Sequence, residues 1–181
     1  MSDIKGCRQA AESLYERFEF RYIRPEEGDQ AARIEQVCFP PNEACTEKMM
    51  KDRAAAAPEL FLVAVDRESG LLAGFLCGLA TDEVSFRDEF FYDNTLYPPE
   101  GKNVILLGLD VLPEYRGQGL ARELMHIYLQ REKERGRKMA VLTCLADKIP
   151  MYEKMGFTSH GLSKSTWGGV PWFEMSCVLN R

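Results

Sequence analysis

From Val104 to Leu112 almost every side chain is apolar, the pattern of a central strand covered on both faces. That run feeds directly into Pro113-Glu-Tyr-Arg-Gly-Gln-Gly-Leu-Ala121 and then into the clearest amphipathic helix of the chain, residues 119 to 135. Leu120, Ala121, Leu124, Met125, Tyr128 and Leu129 form one stripe of this helix, Arg122, Glu123, Gln130 and Glu134 point elsewhere, and Gly136 is placed to end it. A buried strand tied so closely to an amphipathic helix must pack as adjacent layers of an α/β unit. The turn between them carries chemistry. Unpaired amides at a helix start hold about half a positive charge, so a glycine-rich turn there can wrap a pyrophosphate. Gly117 and Gly119 let the backbone approach oxygen atoms with no Cβ in the way. The turn is not a nucleotide P-loop, because no Gly-Lys-Ser/Thr follows, and it lacks the G-x-G-x-x-G spacing of a dinucleotide fingerprint.

The rest of the chain reads as one continuous unit without repeats. Residues 8 to 18 read as helix and Phe20 to Ile23 as a first strand ending at Arg24-Pro25. A helix from about Glu26 to Cys38 places Ala31, Ile34, Val37 and Cys38 at helical spacing, and Pro40-Pro41 stops it. A second helix spans Glu43 to Ala56. Leu60 to Val65 and Leu71 to Leu79 flank Asp66-Arg67-Glu68-Ser69-Gly70 and predict a hairpin. After the long helix come a strand from Met139 to Cys144, a short helix from Ile149 to Met155 ended by Gly156, and strands near Phe157 to Leu162 and Trp172 to Leu179. The order β-α-α-β-β-β-α-β-α-β-β implies a mixed sheet with helices on both faces.

Composition narrows the function classes. At 181 residues, 45% hydrophobic and 28% charged, the chain fits a single core without staples. A net charge of -5 and a pI near 5.2 disfavour nucleic acid and favour small cationic substrates. Cys7, Cys38, Cys45, Cys77, Cys144 and Cys177 form no CxxC pair and read as free thiols of a reducing compartment. His126 and His160 have no ligand spacing, so no metal site is expected. There is no apolar run of about 20 residues and no basic-then-apolar leader, which points to a cytoplasmic protein without a membrane partner. Nothing in the sequence selects between monomer and homodimer.

Arg116, Gly119 and Ala121 match the Arg/Gln-x-x-Gly-x-Gly/Ala signature of the GCN5-related N-acetyltransferase (GNAT) superfamily, which this chain resembles across about residues 20 to 179. A second landmark, a tyrosine shortly before Gly-Phe, is matched by Tyr152 ahead of Gly156-Phe157. More narrowly, Cys38-Phe39-Pro40-Pro41-Asn42-Glu43-Ala44, Ala57-Pro58-Glu59 and Trp172-Phe173-Glu174-Met175 are similar to the arylalkylamine (serotonin) N-acetyltransferase branch. The resemblance implies an α/β fold of one domain, with a mixed, mostly antiparallel sheet, helices on both faces, a helical extension over residues 1–19 and the catalytic domain over 20–181. It also implies acetyl-CoA as cosubstrate and direct attack on the thioester by a primary amine, possible acceptors including an arylalkylamine.

On that resemblance Leu109 and Val111 present backbone groups to the pantetheine arm, and Arg116, Gly117, Gln118, Gly119, Leu120 and Ala121 hold the pyrophosphate. Arg116 could reach a phosphate oxygen or cap the turn. Tyr152 is the expected general acid, its ordinary pKa near 10 suiting a donor to a departing thiolate; it also fits as a helix tyrosine packing a core edge. Phe39, Pro40 and Trp172 match positions of the amine pocket, and Trp172 could equally be core. The chain departs from vertebrate arylalkylamine enzymes at Ile105 and Leu107, where those carry two histidines. The missing base directs attention to Glu83 or Asp93 acting through water, or to capture of a neutral amine. Residues 82 to 100 hold six acids against one Arg87, interleaved with Phe86, Phe90, Phe91, Tyr92 and Tyr97. They read either as a lining for an arylalkyl ammonium or as a solvated loop anchored by its aromatics. Two further readings stay open: a GNAT acting on a protein, polyamine or aminoglycoside amine, and a non-catalytic acyl-CoA-binding module.

Overall fold

The computed structural model describes residues 13–180. Residues 13–17 are helical and lead into β1 (Phe18–Tyr22). The part of the expected helix before residue 13, and Cys7, lie outside the described residues. A 3-10 turn, Pro25–Glu27, precedes α1 (Gly28–Cys38), whose C-cap Phe39 is already extended, as a residue before Pro40 must be. The next helix, α2 (Glu47–Ala56), starts four residues later than Glu43. The amides of Glu43 and Ala44 bond back to the Pro40 carbonyl at 2.9 and 3.0 Å, which consumes that stretch in a turn. Thr46 then caps the helix, accepting from the Met49 amide at 3.2 Å.

β2 (Phe61–Asp66) and β3 (Leu72–Thr81) form the expected hairpin and are buried along their whole length. β4 (Asn103–Val111) is followed by the glycine turn and α3 (Leu120–Glu134), then β5 (Met139–Cys144), α4 (Ile149–Lys154), β6 (Thr158–Leu162) and β7 (Phe173–Val178). The seven strands make one sheet in the order β1-β2-β3-β4-β5-β7-β6. Every pairing is antiparallel except β4 with β5. Strand alternation sorts the helices onto opposite faces. The Cys77 thiol meets the Arg53 guanidinium of α2 at 3.5 Å, whereas a Cβ at neighbouring Gly78 would meet the Tyr128 hydroxyl of α3 at 2.7 Å.

Two irregularities of β4 position the site. Gly78 pairs with Leu106 and Cys77 with Gly108, leaving Leu107 as the extra residue of a bulge. Bulges bend a strand and raise its twist. β4 also pairs with β5 only from Asn103 to Ile105, while β5 stays zipped to β7 from Met139 to Cys144. Beyond Ile105 the two parallel strands part, and the sheet opens between them.

Candidate active site

The opening leads to a cavity of about 620 Å³. Its first wall is the turn after β4. Gly117 and Gly119 adopt φ of 75° and 88°, left-handed values that other L-residues reach only with strain. Gly119 is the N-cap of α3 and supplies no side-chain cap, so the first amides of the helix remain available to an anion. Gly117, Gly119, Leu120 and Ala121 all line the cavity. The two long side chains of the turn behave differently. Arg116 Nε donates to the Val111 carbonyl at 2.8 Å and its Nη2 approaches the Cys38 thiol at 3.5 Å, so its guanidinium closes the end of β4. Gln118 leaves the cavity altogether: its Oε1 accepts from Arg17 at 3.1 Å.

Backbone direction supplies the second element. The Leu112 amide bonds to the Ala73 carbonyl at 3.0 Å on the β3 side. Backbone groups alternate edges along a strand, so Val111 and Leu109 face the open side where β5 has departed. The Leu109 edge borders the gap, and the Val111 carbonyl there takes the Arg116 bond.

Across the gap stands Tyr152 of α4, half-buried and part of the cavity wall. Its backbone carbonyl accepts from Met155 and Phe157 at 2.9 and 3.1 Å, and its ring meets Phe157 edge-on at 5.9 Å. The Tyr-Gly-Phe spacing therefore serves to fix this ring. Burial pushes the Tyr152 hydroxyl above its ordinary value, with Cys144 and Asp110 adding to the effect, so the phenol stays protonated at neutral pH. Cys144 and Cys38, both in the wall, are likewise pushed up by burial to about 11 and stay thiols at neutral pH.

At the other end of the cavity lie Phe39 and Pro40, just past α1, and Trp172, just before β7. Trp172 Nε1 donates to the Trp167 carbonyl at 2.7 Å, and Trp167 Nε1 to the Glu43 carbonyl at 2.6 Å. Trp167 stacks on Phe91 with centroids 4.5 Å apart. Of the loop from residue 82 to 100, Phe91 alone belongs to the cavity wall. The loop's acids are engaged elsewhere: Glu83 pairs with Arg87, Asp88 accepts from Ser165 and Thr166, and Asp93 accepts from Thr95. Glu83 and Asp93 thus stand outside the cavity, and they and Asp88 hold the loop and its neighbours in place.

The cavity's own carboxyls are Glu35 of α1, Asp110 of β4 and Glu43. Glu35 and Asp110 are 3% and 1% exposed. The first two escaped a motif-based reading, although a single acid inside the apolar run Val104–Leu112 is a signal in itself. Leu107 lines the cavity at the bulge, whereas Ile105 is fully buried and outside it. Among the described residues no cluster of three or more His, Cys, Asp or Glu is placed to hold a metal, and no helix is long and apolar enough to cross a membrane.

The model of the Acetyltransferase (GNAT) family matches residues 28–157. The chain belongs to that family. It is an acetyl-CoA-dependent N-acetyltransferase. The serotonin N-acetyltransferase of Mesocricetus auratus is 29% identical over 98% of this chain and 84% of its own length. Among solved structures, the loading GNATL domain of CurA from Lyngbya majuscula superposes with a TM-score of 0.77 at 16% identity, over 90% of this chain and 98% of that one. The GphF GNAT-like decarboxylase in complex with isobutyryl-CoA gives 0.75 at 17%, over 90% and 100%. At these identities the two structures share the acetyltransferase's fold.

Proposed function

We propose that this acetyltransferase transfers the acetyl group directly to a small primary arylalkylamine. The observation that carries the reading is a single cavity running from the glycine turn, past Tyr152, to an aromatic end built by Phe39, Phe91, Trp167 and Trp172. Such an end suits a flat apolar body bearing one amino group better than a polyamine or an aminoglycoside. The 29% identity to a serotonin N-acetyltransferase supports the same class.

The residues fit acetyl-CoA. A Cβ at Gly117 would find no atom within 4 Å, so the turn leaves open space before the amides of α3, where a pyrophosphate would sit among Gly117, Gly119, Leu120 and Ala121. The free edge at Leu109 would pair with the pantetheine amides, as a missing strand would. Acetyl-CoA supplies an electrophilic carbonyl carbon and a thiolate leaving group. Tyr152, protonated at neutral pH, is the proton donor to that sulfur. Phe39, Pro40 and Trp172 hold the acceptor against the gap, so that the reaction needs no covalent enzyme intermediate.

The test is acetyl-CoA-dependent thiol release against arylalkylamines, polyamines, aminoglycosides and short peptides. Turnover confined to arylalkylamines is expected. Preference for any of the other classes overturns the substrate assignment, and silence despite acetyl-CoA binding favours a non-catalytic acyl-CoA module.

A further inference from the structure

Among the described residues two acids bury carboxylate oxygens without a hydrogen-bond partner: Asp110 through both oxygens and Glu35 through Oε2. Both belong to the cavity wall. Glu35 Oε1 is held by the Cys45 amide at 2.8 Å, and Oε2 has no partner. An unpartnered buried acceptor is costly unless a ligand completes it. A primary ammonium brings three N–H donors and one positive charge, the complement of what these oxygens lack.

The neighbours on every packed element decide the pair's charge. Cys38 of α1 is a thiol. Cys77 of β3 is pushed up by burial to about 12 and is also neutral. From α2 comes Arg53, 1% exposed, whose guanidinium donates to the Phe91 carbonyl at 3.1 Å and to the Cys45 and Cys77 sulfurs. Arg116 approaches from the turn through Cys38, and the Tyr152 phenol from α4. Burial and a neighbouring acid both disfavour the ionised form of a carboxyl. Burial first, and Glu35 next, raise Asp110 well above the ordinary carboxyl range, against the lowering pull of Arg53. Asp110 is thus held toward its neutral form, and Arg53 sets a buried positive charge within electrostatic reach of it.

We infer that Glu35 and Asp110 are the docking point and proton acceptor of the substrate amine: they bind it as an ammonium and take the first of the two protons its nitrogen must lose. This rests on the amine-acetylating reading above. The ammonium gives one proton to the pair, freeing the nitrogen lone pair. The N–C bond forms at the acetyl carbon, and the C–S bond breaks with its electrons on sulfur. The second nitrogen proton reaches sulfur by way of the Tyr152 hydroxyl, and the first leaves the pair for solvent after the amide departs. The base that Ile105 and Leu107 cannot provide thus comes from the floor of the cavity, contributed by α1 and β4.

Asp110→Asn and Glu35→Gln test this with the best amine of the panel. Each is expected to lower kcat/KM for the amine by about 100-fold at neutral pH, the size of a lost general base, with acetyl-CoA affinity unchanged. A purely structural role would not alter the pH profile. Here the variants should follow the free-amine fraction, gaining about tenfold per pH unit up to the amine's own pKa, whereas the wild type is flatter. Wild-type calorimetry of amine binding in buffers of different ionisation heat provides an arm that no folding defect can remove. No net proton release is expected, because the pair keeps the proton, and release of about one proton per amine bound overturns the inference. Variants with wild-type rates and profiles overturn it as well while leaving amine acetylation standing. Silence of the wild type toward every amine defeats both.

Discussion

The two ends of the cavity are built in opposite ways. The turn end is local: Gly117, Gly119 and the first residues of α3 are contiguous, and on the proposed reading they act through backbone amides whose positions follow from two positive φ angles. The proposed acceptor end is assembled from α1, the turn after it, Phe91, β4 and the segment from Trp167 to Trp172, and on that reading acts through side chains. A backbone site tolerates side-chain exchange but not a change of φ, while a side-chain site tolerates little at its anchors and much between them. Substitutions at each end should therefore fail differently.

The largest effect is expected at the turn. Gly119→Glu forces a residue with a Cβ into a left-handed conformation and puts a carboxylate where an anion is to bind at the helix N-terminus. It should abolish acetyl-CoA binding in calorimetry; ordinary affinity would break the contrast outright. Next comes Tyr152→Phe, which keeps the ring against Phe157 and removes the proton. Turnover should fall by about 100-fold with acetyl-CoA affinity within about twofold, and an unchanged turnover would remove the phenol from the reaction.

A smaller effect is expected from Trp167→Ala. The substitution deletes the stack on Phe91 and the bond to the Glu43 carbonyl, loosening the acceptor wall. The KM for the amine should rise by about tenfold, an order set by about 1.4 kcal/mol of lost aromatic contact, with acetyl-CoA affinity unaffected. A parallel loss of acetyl-CoA binding would show that the two ends are not separable. The smallest effect belongs to Gln118→Ala. Its side chain bonds to Arg17 outside the cavity, so acetyl-CoA affinity should stay within about twofold. A large loss would sharpen the comparison by making a side chain part of the backbone cradle.

The strand-turn-helix unit was legible because its signals are short-range. Apolar continuity marks β4, two glycines mark the turn, and a stripe marks α3, each requiring only neighbours in sequence. The Tyr152 to Phe157 spacing was legible for the same reason, since the tyrosine's carbonyl and ring both contact residues of the following turn. The acceptor end resisted. Residues 82 to 100 read as an acidic, aromatic lining, yet Arg87, Thr95, Ser165 and Thr166 absorb the charges, and two of those partners lie far along the chain. Glu35 falls within a helix whose buried face also contains Ala31 and Ile34, and nothing local marks it as facing a cavity.

Sequence by itself determined the order of elements, the mixed sheet and the glycine turn proposed to receive a pyrophosphate, because periodicity, proline and glycine act over a few residues. Tertiary structure alone decided where β4 leaves β5, which acids belong to the cavity wall, and that Arg53 is buried near them. Those outcomes depend on a bulge opposite Gly78 and on contacts between α1, α2 and β4. Such contacts join residues distant in the chain, and only folding sets the distances that govern charge and burial.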